Sequence, residues 1–168
     1  MLSQRSFSLV GFACCAGLVA TALYFQHIDG LEPCPLCIFQ RVAFMLMGAV
    51  FLIAALHNPK SAGMRVYGGL ATVAGLVGIA IAARHVWLQN APEDQVPECG
   101  PGLDFMVEVL PFHVMLEKVF MGSGECAEVS WTFLGLSMPA WSLVWLLIMT
   151  AIAVKLAFSE RRTIQHGF

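Results

Sequence analysis

Four long apolar runs constrain the fold of this chain more than any other feature. They cover approximately residues 7–25, 38–56, 66–83 and 138–154, and their one charged residue is Arg41 near the start of the second. An α-helix crosses the hydrocarbon of a bilayer in about 20 residues, with a range of roughly 17–25. Only 12% of the 168 residues are charged, which is half the share of about 25% in soluble domains. The chain is therefore predicted to be all-α, an integral membrane four-helix transmembrane bundle that forms a single domain over residues 1–168.

The distribution of positive charge predicts the orientation of the bundle. Four crossings put both termini on one side, together with the loop between the second and third runs. The cationic residues on that side are Arg5, Lys60, Arg65, Lys155, Arg161 and Arg162, against Arg41, Arg84 and Lys118 on the other. Because Lys and Arg accumulate on the cytoplasmic side, both termini are predicted to be cytoplasmic. Loops of approximately residues 26–37 and 84–137 would then face the periplasm of a bacterial inner membrane.

The first run has a second interpretation, as a signal peptide that is removed. Arg5 precedes the apolar stretch, and Ala20-Thr21-Ala22 resembles a cleavage site. The run continues to Phe25, which is long for the apolar part of a signal peptide, so a retained helix is favoured. Both interpretations leave Cys34 outside the cytoplasm, where disulfides are permitted.

Cys34 and Cys37 form a Cys-x-x-Cys pair at the edge of the second run. Pro33 and Pro35 fix φ near −65° and supply the tight turn that brings two such sulfurs within disulfide reach. A helix that starts near Cys37 favours a thiolate there, because its first N–H groups carry partial positive charge. Arg41 is four residues after Cys37, so the two can share one helical face. Its charge could stabilise the thiolate or hold the polar head of a ligand.

The residues alone leave three interpretations of this pair: a redox-active dithiol, a structural disulfide, or part of a metal site. A disulfide between residues three apart closes a tiny loop and should stabilise little. Zinc sites normally need a second such pair or suitably spaced histidines, and Cys99 and Cys126 are too far apart in sequence to make one. The residue directly after Cys37 is not a histidine, which excludes the Cys-x-x-Cys-His motif of covalent c-type haem. The redox interpretation is favoured, and no metal ligands are predicted.

Cys99 and Cys126 lie in the long outer loop, among glycines and prolines that indicate turn-rich backbone. A disulfide closing such a loop could be a structural staple worth about 3–4 kcal/mol, or an exposed exchangeable bond. Beside a Cys-x-x-Cys pair at the membrane edge the second is favoured, because two dithiols can relay electrons by thiol–disulfide exchange. Cys14 and Cys15, in the middle of the first run, are interpreted as small apolar side chains that are inert.

Two other features bear on the outer side of the membrane. The apolar segment after Pro111 predicts a short amphipathic helix on the membrane surface, with a helix buried against the bundle as the alternative. His85, at the outer end of the third run, is interpreted as an interfacial anchor or as a hydrogen-bond donor to a ligand head near Arg41.

Charge also excludes some classes of function. The net charge of −2 argues against a role in binding nucleic acid, because phosphate binding needs clustered Lys and Arg. The apolar runs contain almost no charge and no inverted repeat, which argues against a transporter.

Several separated segments resemble the DsbB family of disulfide-forming membrane oxidoreductases. They are Phe25-Gln26-His27, Pro33-Cys34-Pro35-Leu36-Cys37-Ile38-Phe39-Gln40-Arg41, Ser123-Gly124-Glu125-Cys126-Ala127-Glu128 and Trp131-Thr132-Phe133-Leu134-Gly135-Leu136-Ser137-Met138-Pro139-Ala140-Trp141. Their order, and their spread over all four predicted helices and both outer loops, make the resemblance specific. It implies a four-helix transmembrane bundle with a quinone at its outer edge.

The resemblance also implies a role for each site residue. A DsbA-like periplasmic thioredoxin-fold protein would attack the Cys99–Cys126 disulfide and form a mixed disulfide with Cys99. Cys126 would then attack the Cys34–Cys37 disulfide at Cys34. Cys37 would be left as a thiolate that faces the quinone and is stabilised by Arg41.

His85 occupies a place where the DsbB family often has a histidine close to the quinone. The resemblance thus implies a quinone-dependent protein-disulfide oxidoreductase that uses the membrane quinone pool. DsbA is a strong oxidant, near −120 mV, so ubiquinone is the expected acceptor, and menaquinone, of much lower potential, is the alternative under anaerobic conditions.

Two competing interpretations are kept. A vitamin K epoxide reductase-like protein also pairs a membrane Cys-x-x-Cys with loop cysteines, but its usual order places the loop pair first, the reverse of the order here. A membrane scaffold or assembly protein would carry purely structural disulfides and bind no quinone.

Overall fold

A computed structural model describes residues 4–59, 61–92, 95–96, 108–122 and 124–158. Its elements in chain order are α1 (Gln4–His27), α2 (Pro35–His57), α3 (Ser61–Asn90), α4 (Phe112–Met121), α5 (Gly124–Ala127), β1 (Thr132–Phe133), β2 (Leu136–Ser137) and α6 (Met138–Phe158). The helices α1, α2, α3 and α6 are each long and apolar enough to cross a membrane. The predicted all-α four-helix transmembrane bundle is confirmed.

The four long helices pack against one another in particular pairs. Helix α3 lies against both α2 and α6, and α1 packs mainly against α2. The bundle core that they share includes Phe44, Met47, Phe51, Leu146 and Met149, all buried. Helix α3 continues to Asn90, well beyond the apolar run that predicts it, so its last turns reach the outer end of the bundle.

Glycines on α3 allow α6 to approach closely. A methyl group at Gly68 would lie 2.5 Å from the backbone nitrogen of Ala157, and one at Gly78 would lie 2.8 Å from Leu146 Cδ2. A methyl group at Gly69, on the other hand, would have no neighbour within 4 Å. Small residues at such contacts are a usual basis for helix association in membranes, where apolar lipid removes most of the hydrophobic driving force.

A two-stranded antiparallel hairpin precedes α6, and the sequence analysis did not identify it. Phe133 pairs with Leu136 across the turn, and the two turn residues, Leu134 and Gly135, both have positive φ, at 52° and 78°. Positive φ at both central residues matches the twist of a tight hairpin. The indole N–H of Trp141 donates a hydrogen bond to the Phe133 carbonyl oxygen at 3.0 Å, which attaches the hairpin to the first turn of α6.

The helix predicted after Pro111 is present as α4. Its Met115 and Val119 side chains are buried in a cluster with residues of α2 and α3, so this face packs against the bundle, as in the alternative interpretation. The Arg84 guanidinium donates hydrogen bonds to the carbonyls of the last two residues of α4, at 3.2 and 3.0 Å. A positive charge there complements the partial negative charge of a helix C-terminus.

Candidate redox-active site

The Cys-x-x-Cys pair forms the start of α2. Cys34 is the N-cap residue, with extended backbone (φ −66°, ψ 164°), and Pro35 is the first helical residue. Proline at position N1 is favoured, and it keeps the residue before it out of the helical region. The Ile38 N–H makes the first helical hydrogen bond, to the Cys34 carbonyl at 3.2 Å. Both sulfurs therefore lie at a helix N-terminus, whose free N–H groups carry partial positive charge.

His85 from α3 packs directly against this pair. Its ring Nε2 lies 3.7 Å from Cys34 Sγ, and its Nδ1 lies 3.9 Å from Cys37 Sγ. Gln40 Nε2 is 3.1 Å from His85 Nδ1, so the amide N–H donates to that nitrogen. A neutral imidazole has one N–H, which is then on Nε2 and faces the Cys34 sulfur. His85 and Gln40 are only 2% and 3% exposed, and no sequence pattern linked them.

Cys126 on α5 belongs to the same outer cluster. It is fully buried, and it lies with Cys34, Leu36 and Leu88 in one group of packed side chains against which Cys37 also rests. Cys126 is near enough to Cys37 for their charges to interact. Three of the four predicted site cysteines thus share one cluster, while Cys99 lies outside the described residues.

A cavity of about 450 Å³ opens beside Cys37, between α1, α2, α6 and the hairpin. This volume is within the usual range for small-molecule sites. Its aromatic lining residues are Phe25, Phe44, Trp131, Phe133, Trp141 and Trp145. Its polar lining residues are Thr21, Cys37, Gln40, Arg41 and Ser142. The cavity is therefore mainly an aromatic chamber with a few polar groups, three of them on α2.

A second cavity, of about 60 Å³, adjoins the first at the cysteine pair, and Phe25, Trp131 and Met138 are among the residues that line both. Cys34 and His85 line this smaller cavity and are not among the described residues that line the larger one. Cys37 and Arg41 line both. Cys37 consequently borders the aromatic chamber. Cys34 borders the smaller cavity, which residues of both outer loops also line.

Arg41 is held at the chamber wall by α1. Its guanidinium donates hydrogen bonds to the Gln26 side-chain oxygen and to the Ala22 carbonyl, the latter at 3.2 Å. Both acceptors are in the last turns of α1, where carbonyl groups carry partial negative charge. Arg41 and Cys37 lie on the same wall, in keeping with their four-residue spacing, and their charges are near enough to interact.

Comparison with known proteins shows the family to which the chain belongs. The family described as disulfide bond formation protein DsbB matches residues 4–156. The chain belongs to the DsbB family. A Nitrosococcus oceani relative named disulfide bond formation protein B is 56% identical over 153 residues, covering 91% of this chain and 90% of the relative. A Marinobacter nauticus relative of the same name is 51% identical over 168 residues, covering 98% and 99%.

Membership of the DsbB family confirms the resemblance found in the sequence. The chain is a disulfide-forming oxidoreductase and a multi-pass protein of the inner membrane. Within this DsbB-family site, Gln26 and Gln40 are contacts that sequence reasoning missed. The available signal was a glutamine inside an otherwise apolar run, at Gln40, since an uncharged polar side chain in a membrane helix needs a partner.

Cys14 and Cys15 lie away from the outer cluster. Cys15 is buried in the bundle core and Cys14 packs against the same core, and a methyl group at Gly48 would lie 3.1 Å from Cys15 Cβ. Their surroundings are those of small apolar side chains, as the sequence analysis expected.

Proposed function

We propose that this protein re-oxidises a DsbA-like periplasmic thioredoxin-fold protein by disulfide exchange and passes the electrons to membrane ubiquinone. One observation carries the proposal. Cys37 borders the aromatic chamber, whereas Cys34, which is buried in one cluster with Cys126, is not among the described residues that line it. The two sulfurs of one pair thus face an electron donor on one side and space for an acceptor on the other.

Each exchange step breaks one disulfide bond and forms another. A thiolate of the reduced partner attacks the Cys99–Cys126 disulfide, forms a mixed disulfide with Cys99 and releases the Cys126 thiolate. The second thiol of the partner resolves that bond, so the partner leaves as a disulfide and two thiols remain here. Cys126 attacks the Cys34–Cys37 disulfide at Cys34 and displaces the Cys37 thiolate. Cys99 then attacks Cys126, which restores the loop disulfide and leaves Cys34 and Cys37 reduced.

The chamber beside Cys37 fits a quinone head group. Its volume and its six aromatic side chains suit a flat ring, and the Arg41 guanidinium and Gln40 amide supply hydrogen-bond donors on the wall that carries the sulfur. When bound, ubiquinone accepts two electrons and two protons. Residues of this chain would hold its ring against the sulfur and exclude water from it.

Arg41 and His85 have different tasks in this proposal. Arg41 stabilises negative charge at Cys37 and is itself fixed by Gln26 and Ala22. His85 faces Cys34 through Nε2, so its N–H can donate a hydrogen bond to the Cys34 sulfur as that sulfur becomes reduced.

The test is anaerobic quinone reduction by the purified full-length protein in detergent. The protein is mixed with a short-chain ubiquinone and a reduced DsbA-like dithiol, and ubiquinone absorbance is followed. We expect catalytic loss of absorbance, none with Cys37→Ser, and an unchanged rate with Cys14→Ser as the matched control. Retained turnover in Cys37→Ser would contradict the proposal. A folded wild-type protein that turns over with neither ubiquinone nor menaquinone would instead favour a scaffold whose disulfides are structural.

A further inference from the structure

The outer end of the bundle brings together three side chains that can ligate a soft divalent cation. Cys34, Cys37 and His85 each offer one ligand atom, and these atoms all lie within 4.8 Å of one another. Both cysteines are free thiols in the structure, so it represents the reduced pair. We propose that the reduced pair and His85 form a binding site for a thiophilic divalent cation such as Zn²⁺.

The distances are close to those a zinc site requires. Zinc binds thiolate sulfur at about 2.3 Å and imidazole nitrogen at about 2.0–2.1 Å, in tetrahedral geometry. Those bond lengths separate a sulfur from a nitrogen ligand by about 3.6 Å, and His85 Nε2 lies 3.7 Å from Cys34 Sγ. The Cys37 sulfur lies within 4.8 Å of the other two ligand atoms, so its side chain would rotate toward Nε2 to complete the three-ligand set. The fourth position stays open for water or an exchangeable ligand, as in zinc sites with three protein ligands.

Charge also favours the cation in this buried place. His85 is 2% exposed and Cys34 is 9% exposed, and an isolated charge at such a depth is costly. Two thiolates, one divalent cation and a neutral imidazole sum to zero. The cation replaces the two thiol protons, which are released on binding.

Gln40 supplies the outer contact that metal-binding histidines usually have. Such a histidine donates its second ring N–H to an oxygen atom, which fixes the ring and raises its basicity. The Gln40 amide lies 3.1 Å from His85 Nδ1, and turning it over presents its oxygen instead of its NH₂ group. Gln40 can therefore support His85 both in the metal-free dithiol and in the metal-bound state.

The smaller cavity gives the cation a route to these ligands. Glu32, Glu125 and Glu128 line it together with Cys34 and His85, and the three carboxylates attract positive charge to its mouth. No metal ligands were predicted from the sequence, because it contains neither a second Cys-x-x-Cys pair nor suitably spaced histidines. His85 is 51 residues from Cys34 and 48 from Cys37. Folding, not local spacing, assembles the site.

A bound cation would hold the pair in its reduced form. Both sulfurs would be ligands, so neither could form the disulfide that the next cycle requires. The bound cation would therefore inhibit turnover. That inhibition rests on the proposed function, whereas binding of the cation does not. The two inferences can therefore fail separately.

The test uses a full-length variant in which every cysteine except Cys34 and Cys37 is serine. It is reduced with a phosphine, purified in detergent under anaerobic conditions and titrated with Co²⁺. We expect one Co²⁺ per chain, with thiolate-to-cobalt charge-transfer absorption that Zn²⁺ removes by displacement. The same sample, once its pair is oxidised to a disulfide, should lose this absorption. That comparison needs no further substitution, so the difference between the two forms reports the thiols of Cys34 and Cys37.

Substitutions around the pair then test the ligand set. Loss of an outer contact to a metal ligand costs about 10–100-fold in affinity, so Gln40→Leu should weaken binding by that factor and Gln40→Glu should preserve it. His85→Gln, which removes a ligand itself, should weaken binding more than Gln40→Leu does, with circular dichroism confirming the helix content. Absence of the absorption in the reduced protein, or equal affinity in His85→Gln, would overturn the proposal.

Discussion

Cys37 borders two spaces of very different size, and this position distinguishes it chemically from Cys34. The larger space is an aromatic chamber of about 450 Å³, and the smaller is about 60 Å³. Of these two spaces, Cys34 lines only the smaller, and it is 9% exposed. An apolar reagent that enters from the bilayer should therefore reach Cys37 first.

This asymmetry predicts selective alkylation of the reduced pair. In a variant that retains Cys34 and Cys37 as its only cysteines, a maleimide with a long alkyl chain should modify Cys37 at least about tenfold faster, equivalent to about 1.4 kcal/mol of activation free energy. Peptide mass spectrometry at short times measures the ratio. Variants with Cys34→Ser or Cys37→Ser in this background provide the single-site rates. Equal or reversed rates would contradict the assignment of Cys37 to the chamber side.

Arg41 is predicted to act through both its charge and its planar geometry. Arg41→Ala removes a charged hydrogen-bond donor, worth about 1.5–3 kcal/mol, so KM for a short-chain ubiquinone should rise about tenfold or more. Arg41→Lys keeps the charge but not the forked donor geometry, because one ammonium group cannot reproduce the bonds to both Gln26 and Ala22. Its KM should be intermediate. Steady-state assays should show an unchanged KM for the DsbA-like partner, and a rise in that value instead would assign Arg41 to partner binding.

At the scale of the elements, the glycines of α3 differ in how much space surrounds them at the contact with α6. Gly75 faces the Thr150 hydroxyl, and a methyl group there would also lie 3.2 Å from Met47 Cε. Gly69, on the same helix, has open space around it. The Thr150 hydroxyl oxygen is buried and has no hydrogen-bond partner among the described residues, so it occupies that space without a compensating bond.

These surroundings predict opposite outcomes for two glycine-to-alanine substitutions. Gly75→Ala should destabilise the bundle by about 1–3 kcal/mol, the usual cost of adding a methyl group to a filled core. Gly69→Ala, the matched control, should be neutral or stabilising by up to about 1 kcal/mol through helix propensity. Thr150→Ala should partly rescue Gly75→Ala, because it removes the obstructing oxygen. Unfolding in detergent monitored by circular dichroism gives the three values, and equal effects of the two glycine substitutions would contradict the packing described.

The same elements indicate which features the sequence could predict. The four long helices follow from apolar length alone, and the start of α2 follows from Pro35 and the conformational limit it places on Cys34. Tertiary packing decides the rest. His85 meets the cysteine pair because α3 continues several turns beyond its apolar run, and nothing local marks Gln40 as its partner. The hairpin before α6 has only one glycine in its turn, with Leu134 in the other left-handed position, so its signal was weak.

At the scale of the whole molecule, the bundle separates two functions in space. The core shared by α1, α2, α3 and α6 is apolar and holds the four helices together. The outer cluster of Cys34, Cys126 and their neighbours lies at one end, next to the chamber that opens between helices. Electrons that enter from an aqueous partner would thus need to cross only the outer edge of the bundle to reach a lipid-soluble acceptor.

This arrangement requires the outer cluster to face the periplasm, which accessible cysteines can test. In a cysteine-free background, Thr132→Cys in the hairpin and Ala62→Cys at the start of α3 introduce thiols at two exposed positions at opposite ends of the bundle. Because positive charge concentrates with the termini, a membrane-impermeant maleimide added to intact spheroplasts should label Thr132→Cys and spare Ala62→Cys. Both should react after permeabilisation, which controls for exposure. Labelling of Ala62→Cys alone in intact spheroplasts would invert the topology and put the cysteine pair in a reducing compartment, where a role in disulfide formation could not be sustained.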